Sequence, residues 1–243
     1  MKTTFSILIL FMLLFGGAIL SASDFSKPDR DGFVTIFNGV DLTGWEGLPD
    51  AWKIVEGTIV GESTPENPCK KTHYLYWTEK EPGDFHLKLN FRMTGKSANS
   101  GIQFRSEKRP NWDTFGYQAD VDASLQWTGC LFQHKRGAVV KRGYDDKIDP
   151  DGTVHEKPFA DPAELVKEYK PGEWNEYEVI ANGSILTLLI NGKMMCRVDD
   201  RHATESMKSG IIALQMHQGP PMKVEFKNIR IKIPSKENNT QKN

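Results

Sequence analysis

Gln103 and Arg105, then Gln118, Asp120 and Asp122, then Gln215 and His217 recur at two-residue spacing inside three largely apolar runs. In an extended strand, side chains alternate between faces. Each set therefore shares one side, with Ile102 and Phe104, and Ile212, Leu214 and Met216, on the other. If the three strands are neighbours, they form one polar surface of amides, carboxylates, a guanidinium and an imidazole. Arg105, Gln118, Asp120 and His217 can hydrogen-bond to hydroxyls, and Trp112, Phe115 and Trp127 can pack against the C–H faces of a ring. Such a surface suits a polyhydroxylated, uncharged ligand. Taken singly, the same residues would also serve as the wet side of a half-exposed sheet.

The elements that must carry these residues read as short strands. Phe85, Leu87, Leu89 and Phe91 alternate with His86, Lys88, Asn90 and Arg92, one side apolar and one polar. Trp174 to Ile180, Ile185 to Ile190 and Lys193 to Val198 are joined through Asn182-Gly183 and Asn191-Gly192. Asn-Gly supplies the positive φ angles of tight hairpins, so these runs predict a three-stranded meander. Further strands are expected over 51–55, 58–62, 74–77, 101–105, 116–122, 129–134, 210–217 and 222–233. The one helix signal is Asp161-Pro162-Ala163-Glu164, with Asp161 as N-cap and Pro162 as first helical residue, running to Lys167. Many short strands with little helix predict a sandwich. The charged stretch from Arg136 to Pro171 reads as a long excursion over one face.

Residues 1–23 read as a signal peptide: Lys2, the apolar run Phe5 to Leu20, then Ser21-Ala22-Ser23 before a cut at Asp24. That run is shorter than a spanning helix needs, so no stable membrane anchor is expected, and the product is secreted or periplasmic. One domain over 24–233 and a disordered polar tail over 234–243 complete the organisation. With 31 basic and 32 acidic residues the chain has no electrostatic reason to bind nucleic acid or anionic lipid. Cys69, Cys130 and Cys196 are an odd set, so an exported product keeps at least one free thiol. Asp149-Pro150-Asp151-Gly152 looks like the start of a calcium loop, but Val154 and Ala160 stand where that loop needs Gly and Glu. Asn38-Gly39 with Asp41 and Thr43-Gly44 reads as a turn set before a buried Trp45, and Asn175 as structural.

A series of phrases spans this chain: Phe37-Asn38-Gly39-Val40-Asp41-Leu42-Thr43-Gly44-Trp45, Asn99-Ser100-Gly101-Ile102-Gln103-Phe104-Arg105, Gly116-Tyr117-Gln118-Ala119-Asp120, Glu173-Trp174-Asn175, Leu214-Gln215-Met216-His217, and Val224 to Arg230. In this order and spacing, from about Gly32 to Ile233, they resemble the 3-keto-disaccharide hydrolase domain. The resemblance implies an all-β jelly-roll β-sandwich of the concanavalin A-like lectin/glucanase type with a carbohydrate substrate. It also implies a reaction on 3-keto glycosides. The ketone acidifies C2–H, a base removes that proton, the C1–O bond breaks by elimination, and water then adds. Ordinary glycosidases use two flanking carboxylates instead, and the Glu-x-Asp-x-x-Glu phrase of the retaining glucanases is absent from this sequence.

On this reading Asp120 or His134 is the base, and Arg105 or His217 polarises the carbonyl. Asn99, Gln103, Gln118, Trp127, Gln215 and His217 bind substrate. No cofactor is required, although a divalent metal could take the polarising role; its ligands cannot be named from the sequence. Two departures from the family pattern stand out: Gly116 where relatives carry Glu, and Gln133-His134 where they carry an acidic pair. They leave open a non-catalytic carbohydrate-binding module of the same fold, or an interaction domain of the cell envelope.

Overall fold

A computed structural model of the chain describes residues 27–234. The leader over 1–23 and nearly all of the tail lie outside the described residues. In chain order the strands are β1 (Val34–Thr35), β2 (Trp45–Glu46), β3 (Trp52–Val55), β4 (Thr58–Ser63), β5 (His73–Trp77), β6 (Phe85–Thr94), β7 (Asn99–Arg109), β8 (Asp113–Asp122) and β9 (Leu131–Gln133). They continue as β10 (Gly137–Val140), β11 (Asp145–Ile148), β12 (Val154–His155), β13 (Asn175–Asn182), β14 (Ile185–Ile190), β15 (Lys193–Asp200), β16 (Ile211–Met216) and β17 (Met222–Lys232). Between β12 and β13 lies the short helix α1 (Pro162–Leu165), whose N-cap Asp161 accepts from the Ala163 N–H at 2.8 Å as the sequence predicts.

Ten strands form one sheet, in the order β12-β11-β15-β14-β13-β6-β17-β4-β3 with β1 beside β17. Seven form the other, ordered β10-β9-β8-β7-β16-β5-β2. The two sheets sandwich a single core. The ten-stranded sheet contributes Leu87, Leu89, Phe91, Tyr177, Val179 and Leu188; the seven-stranded sheet contributes Leu75, Ile102, Phe104, Ala119, Leu131, Ile212 and Leu214. The alternation read in β6 is borne out, with 85, 87, 89, 91 and 93 buried and the residues between them only partly so. Both hairpins of the meander are present; the second turns on Asn191 and Gly192, with φ of 50° and 76°, but at the first Asn182 pairs with Ile185 inside the ladder and the turn is Gly183-Ser184, with Gly183 at 56°.

Two expectations need correcting. The stretch 136–171 does not simply drape over a face. It contributes β10 to the seven-stranded sheet, and β11, which pairs parallel to β15, to the ten-stranded one. More important for the site, β7 is bulged between Phe104 and Glu107, so that Arg105 and Ser106 together face Gly116. Arg105 has φ of 45°, which costs a non-glycine residue roughly 1–2 kcal/mol. Both strands flanking the bulge meet it with glycine. A Cβ on Gly116 would lie 2.6 Å from Ser106 Cα, and one on Gly210 would lie 2.5 Å from the Ser106 carbonyl oxygen.

Candidate functional site

The outward face of the seven-stranded sheet is built in rows. Backbone register sets Gln103 beside Gln118 and Ala213, Gln118 beside Phe132, Gly101 beside Asp120, and Gln215 beside Tyr74. The side chains close a continuous network. Ser106 Oγ donates to Gln103 Oε1 (2.7 Å), Gln103 Nε2 to Gln118 Oε1 (2.8 Å), and Gln118 Nε2 to Asp120 Oδ1 and to Gln215 Oε1 (3.3 Å). Gln215 Nε2 donates to the Tyr74 hydroxyl (2.9 Å). Gly101 makes room for this network, because a Cβ there would lie 2.7 Å from Gln118 Cγ. The Asn-Ser-Gly phrase therefore has a packing reason.

Asp120 is the one carboxylate inside the network. Among the described residues no cation stands within ion-pair distance of it. Burial, opposed by the Gln118 N–H and assisted by the charge of Asp122, raises its carboxyl to about 7. Asp120 retains 6% exposure and Gln118 4%, whereas Gln103 and Tyr74 retain none, so the carboxylate lies toward the open side of the network. Burial also raises the Tyr74 hydroxyl, which stays protonated.

Aromatic rings flank this face. The Trp112 ring lies 5.7 Å from Tyr76, and Trp127 meets Phe132 edge-on at 6.4 Å. Asp122, the last residue of β8, holds the loop that follows, accepting from the Trp127 N–H (2.8 Å) and the Thr128 N–H (2.9 Å). From the other side Arg142 donates to the Leu125 carbonyl (3.1 Å) and to that of Thr128. Trp127 is thus presented by a loop tied through both its N–H and its C=O groups.

Of the residues proposed from sequence, Gln103, Gln118, Asp120 and Gln215 meet in one network. Asn99, paired with Asp122, falls on the same face by strand parity; His217 stands one residue past β16, its Nδ1 2.6 Å from the Gln218 carbonyl oxygen; both are half-buried. His134 is exposed, and its ring lies 5.8 Å from that of Phe132, at the rim and outside the hydrogen-bonded set. Arg105 is not part of the site. The bulge turns it away, and its guanidinium donates to the carbonyls of Gly83 (2.8 Å), Gly183 (2.8 Å) and Met207 (3.3 Å) and to Asp84 (3.1 Å). Ser106 takes its place beside Gln103.

Sequence reasoning missed Ser106, Tyr74 and Tyr76. Only a strand-parity reading of β5 could have found the tyrosines, and His73-Tyr74-Leu75-Tyr76-Trp77 has no polar face to suggest one. No group of three or more potential metal ligands occurs among the described residues. No helix among them is long and apolar enough to cross a membrane.

The sequence profile of the 3-keto-alpha-glucoside-1,2-lyase-like domain matches residues 32–232. Among solved structures, a candidate glycosyl hydrolase from Parabacteroides distasonis is similar at 20% identity and a TM-score of 0.54, covering 89% of this chain and 99% of its own. The carbohydrate-binding module CBM66 from Bacillus subtilis is similar at 16% identity and 0.52, covering 79% and 97%. A laminarinase from Flavobacterium sp. UMI-01 is similar at 9% and 0.53, covering 81% and 97%. These likenesses establish the jelly-roll lectin/glucanase fold. No curated protein matches the chain.

Proposed function

The chain belongs to the 3-keto-alpha-glucoside-1,2-lyase-like domain family, and from that premise we propose that it cleaves 3-keto glycosides by elimination and hydration, with Asp120 as the base. The observation that carries this reading is a buried carboxylate without a cation partner, its proton affinity matched to neutral pH, set in a face of amides and aromatic rings. A module that only binds sugar needs hydrogen-bonding groups and rings but no carboxylate poised between its two protonation states.

The sugar lies on the outward face of the seven-stranded sheet, its C–H face against Trp127 and its C2–H toward Asp120. Asp120 takes the C2 proton, and the C–H electron pair spreads onto the C3 oxygen as an enolate. The carbonyl re-forms as the C1–O bond breaks, leaving a C1=C2 enone. The departing oxygen takes up a proton, for which the newly protonated Asp120 is a source. Water adds across C1=C2, its oxygen to C1 and a proton to C2, so the net change is hydrolysis. Asn99, on the same face, and His217, one residue past β16, are the groups we assign to the C3 oxygen in place of Arg105. We further propose that the protein works outside the cytoplasm; the apolar run Phe5 to Leu20 and the small residues after it support this.

Incubation with 3-keto-trehalose in deuterated water tests the route. Released sugar carrying deuterium at C2 is the expected result. Release with the C2 proton retained would replace elimination by direct displacement. Binding without release would leave a carbohydrate-binding module.

A further inference from the structure

We propose that Ser106 is a positioning residue for the Asp120 carboxylate, acting through the amides of Gln103 and Gln118. This rests on the reading in which Asp120 is the base. A glutamine amide has a donor end and an acceptor end, and the two have opposite effects on a neighbouring carboxylate. Which end of Gln118 faces Asp120 is decided two links away. The Ser106 hydroxyl has two acceptors within reach, the Phe104 carbonyl at 3.0 Å and Gln103 Oε1 at 2.7 Å; its proton on the nearer one leaves Gln103 Nε2 toward Gln118 Oε1 at 2.8 Å. That holds Gln118 with Nε2 on Asp120 Oδ1 and Gln215 Oε1, and Gln215 then turns its own Nε2 to the Tyr74 oxygen. Every link between Ser106 and Asp120 runs its donor toward the carboxylate, so the dipoles reinforce one another.

The seat of Ser106 is a built feature. It exists because β7 bulges at Arg105 in a left-handed conformation and because Gly116 and Gly210 leave no Cβ in the space. Four hydrogen bonds from the Arg105 guanidinium hold the bulge in place. The Asp120 carboxyl otherwise lies near Asp122 on its own strand and Cys130 ahead of β9, and the Tyr177 hydroxyl of the opposite sheet reaches the Asp120 backbone carbonyl (3.3 Å); none of these is a cation. Among the described residues the Gln118 N–H is therefore the contact that favours the ionised base.

Carbon-detected NMR titration of the Asp120 carboxyl reads this directly, in the full chain and without substrate. Ser106→Ala is expected to raise the Asp120 midpoint by about a three- to tenfold change in proton affinity. Gln103→Met, which keeps the side-chain volume, is expected to do the same, and the double variant to go no further. The lower limb of the kcat/KM profile should move to higher pH with the midpoint while KM stays within about twofold. An unmoved midpoint in folded Ser106→Ala overturns the proposal, as do additive shifts in the double variant. Should Ser106→Ala fail to fold, the Gln103→Met midpoint decides alone. Midpoints that move in a protein without turnover would remove the proposed reaction and leave the role of Ser106 standing.

Discussion

The two outward faces of this sandwich treat carboxylates in opposite ways. On the ten-stranded sheet, Glu178 lies between Lys88 (2.9 Å) and His86 (2.8 Å), and Glu225 between Arg92 (2.7 Å) and Lys223 (3.0 Å). On the seven-stranded sheet, Asp120 has amides and another carboxylate for neighbours. Residual exposures are alike, 6% for Glu178, 5% for Glu225 and 6% for Asp120, so accessible surface does not separate them. Depth and company do: protein encloses the Asp120 carboxyl far more completely than either glutamate, and among the described residues it brings no cation to it. Burial opposes ionisation of Glu178, but Lys88 and His86 outweigh it and the carboxyl falls below its ordinary value. The Arg92 hydrogen bond lowers Glu225 against the same opposition. At Asp120 burial wins, and the carboxyl rises to about 7. One face uses its acids as structural charges; the other keeps one acid able to exchange a proton near neutrality.

Replacing an acid by its amide on each face puts this contrast to its severest test. Asp120→Asn is expected to lower kcat on a 3-keto glycoside by about 10²–10⁴-fold, the range for loss of a general base, and steady-state kinetics would measure it. Its effect on stability has the opposite sign. Between the ordinary 3.8 and the folded value near 7, the folded chain keeps a proton that the unfolded chain has lost. Raising the pH through that window therefore removes stability, by roughly 4 kcal/mol in all. Denaturant melts at pH 8 should accordingly find Asp120→Asn more stable than wild type. Glu178→Gln should be less stable, by roughly 1–3 kcal/mol, with unchanged turnover. The Glu178 contribution is present above the ordinary 4.5 and disappears as pH falls through its lowered folded value. Equal signs for the two substitutions would mean that the faces do not differ in kind.

Much of this contrast was legible in the sequence, and the part that was not has one cause. Strict alternation placed His86, Lys88, Asn90 and Arg92 on one side of β6, and Gln118 with Asp120 on one side of β8, because the side-chain period of a regular strand is two. Asn-Gly turns located the meander for an equally local reason. Arg105 failed because parity carries only as far as the ladder stays regular, and a bulge advances it by one residue. The signal for that bulge is the glycine pair Gly116 and Gly210, which are distant in sequence and meaningful only once the strands are neighbours. Tyr74 was illegible because its strand is aromatic or apolar at nearly every position, so nothing marked one side as polar.

Gly116→Ala tests the bulge itself. The new methyl would lie 2.6 Å from Ser106 Cα and 2.7 Å from its Cβ, far inside contact distance. A hydroxyl alone could rotate out of the way, but a backbone Cα cannot, so β7 or β8 must shift. A loss of about 1–3 kcal/mol in denaturant melts is expected, the usual cost of overpacking, together with reduced turnover as Ser106 is displaced from Gln103. Stability and activity both unchanged would show that the bulge tolerates repacking and that its position does not set the network.

The smallest expected effects separate the faces by their tryptophans. Trp127, beside Phe132, has no cation over its ring among the described residues, and its loop is held by Asp122 and Arg142 independently of the indole. Trp174, on the ten-stranded sheet, is covered by Arg92 at 4.7 Å and Lys227 at 4.0 Å from the ring centroid. A sugar can stack on the first ring, whereas on the second it would have to displace two cations. Trp127→Ala is therefore expected to raise KM about 5–10-fold, roughly 1 kcal/mol of stacking, with kcat within twofold. Trp174→Ala should leave both constants unchanged and cost about 0.5–1 kcal/mol of stability through its cation–π contacts. A KM that rises with Trp174→Ala and not with Trp127→Ala would move the sugar to the charged face, where Glu178 and Glu225 are already held by cations.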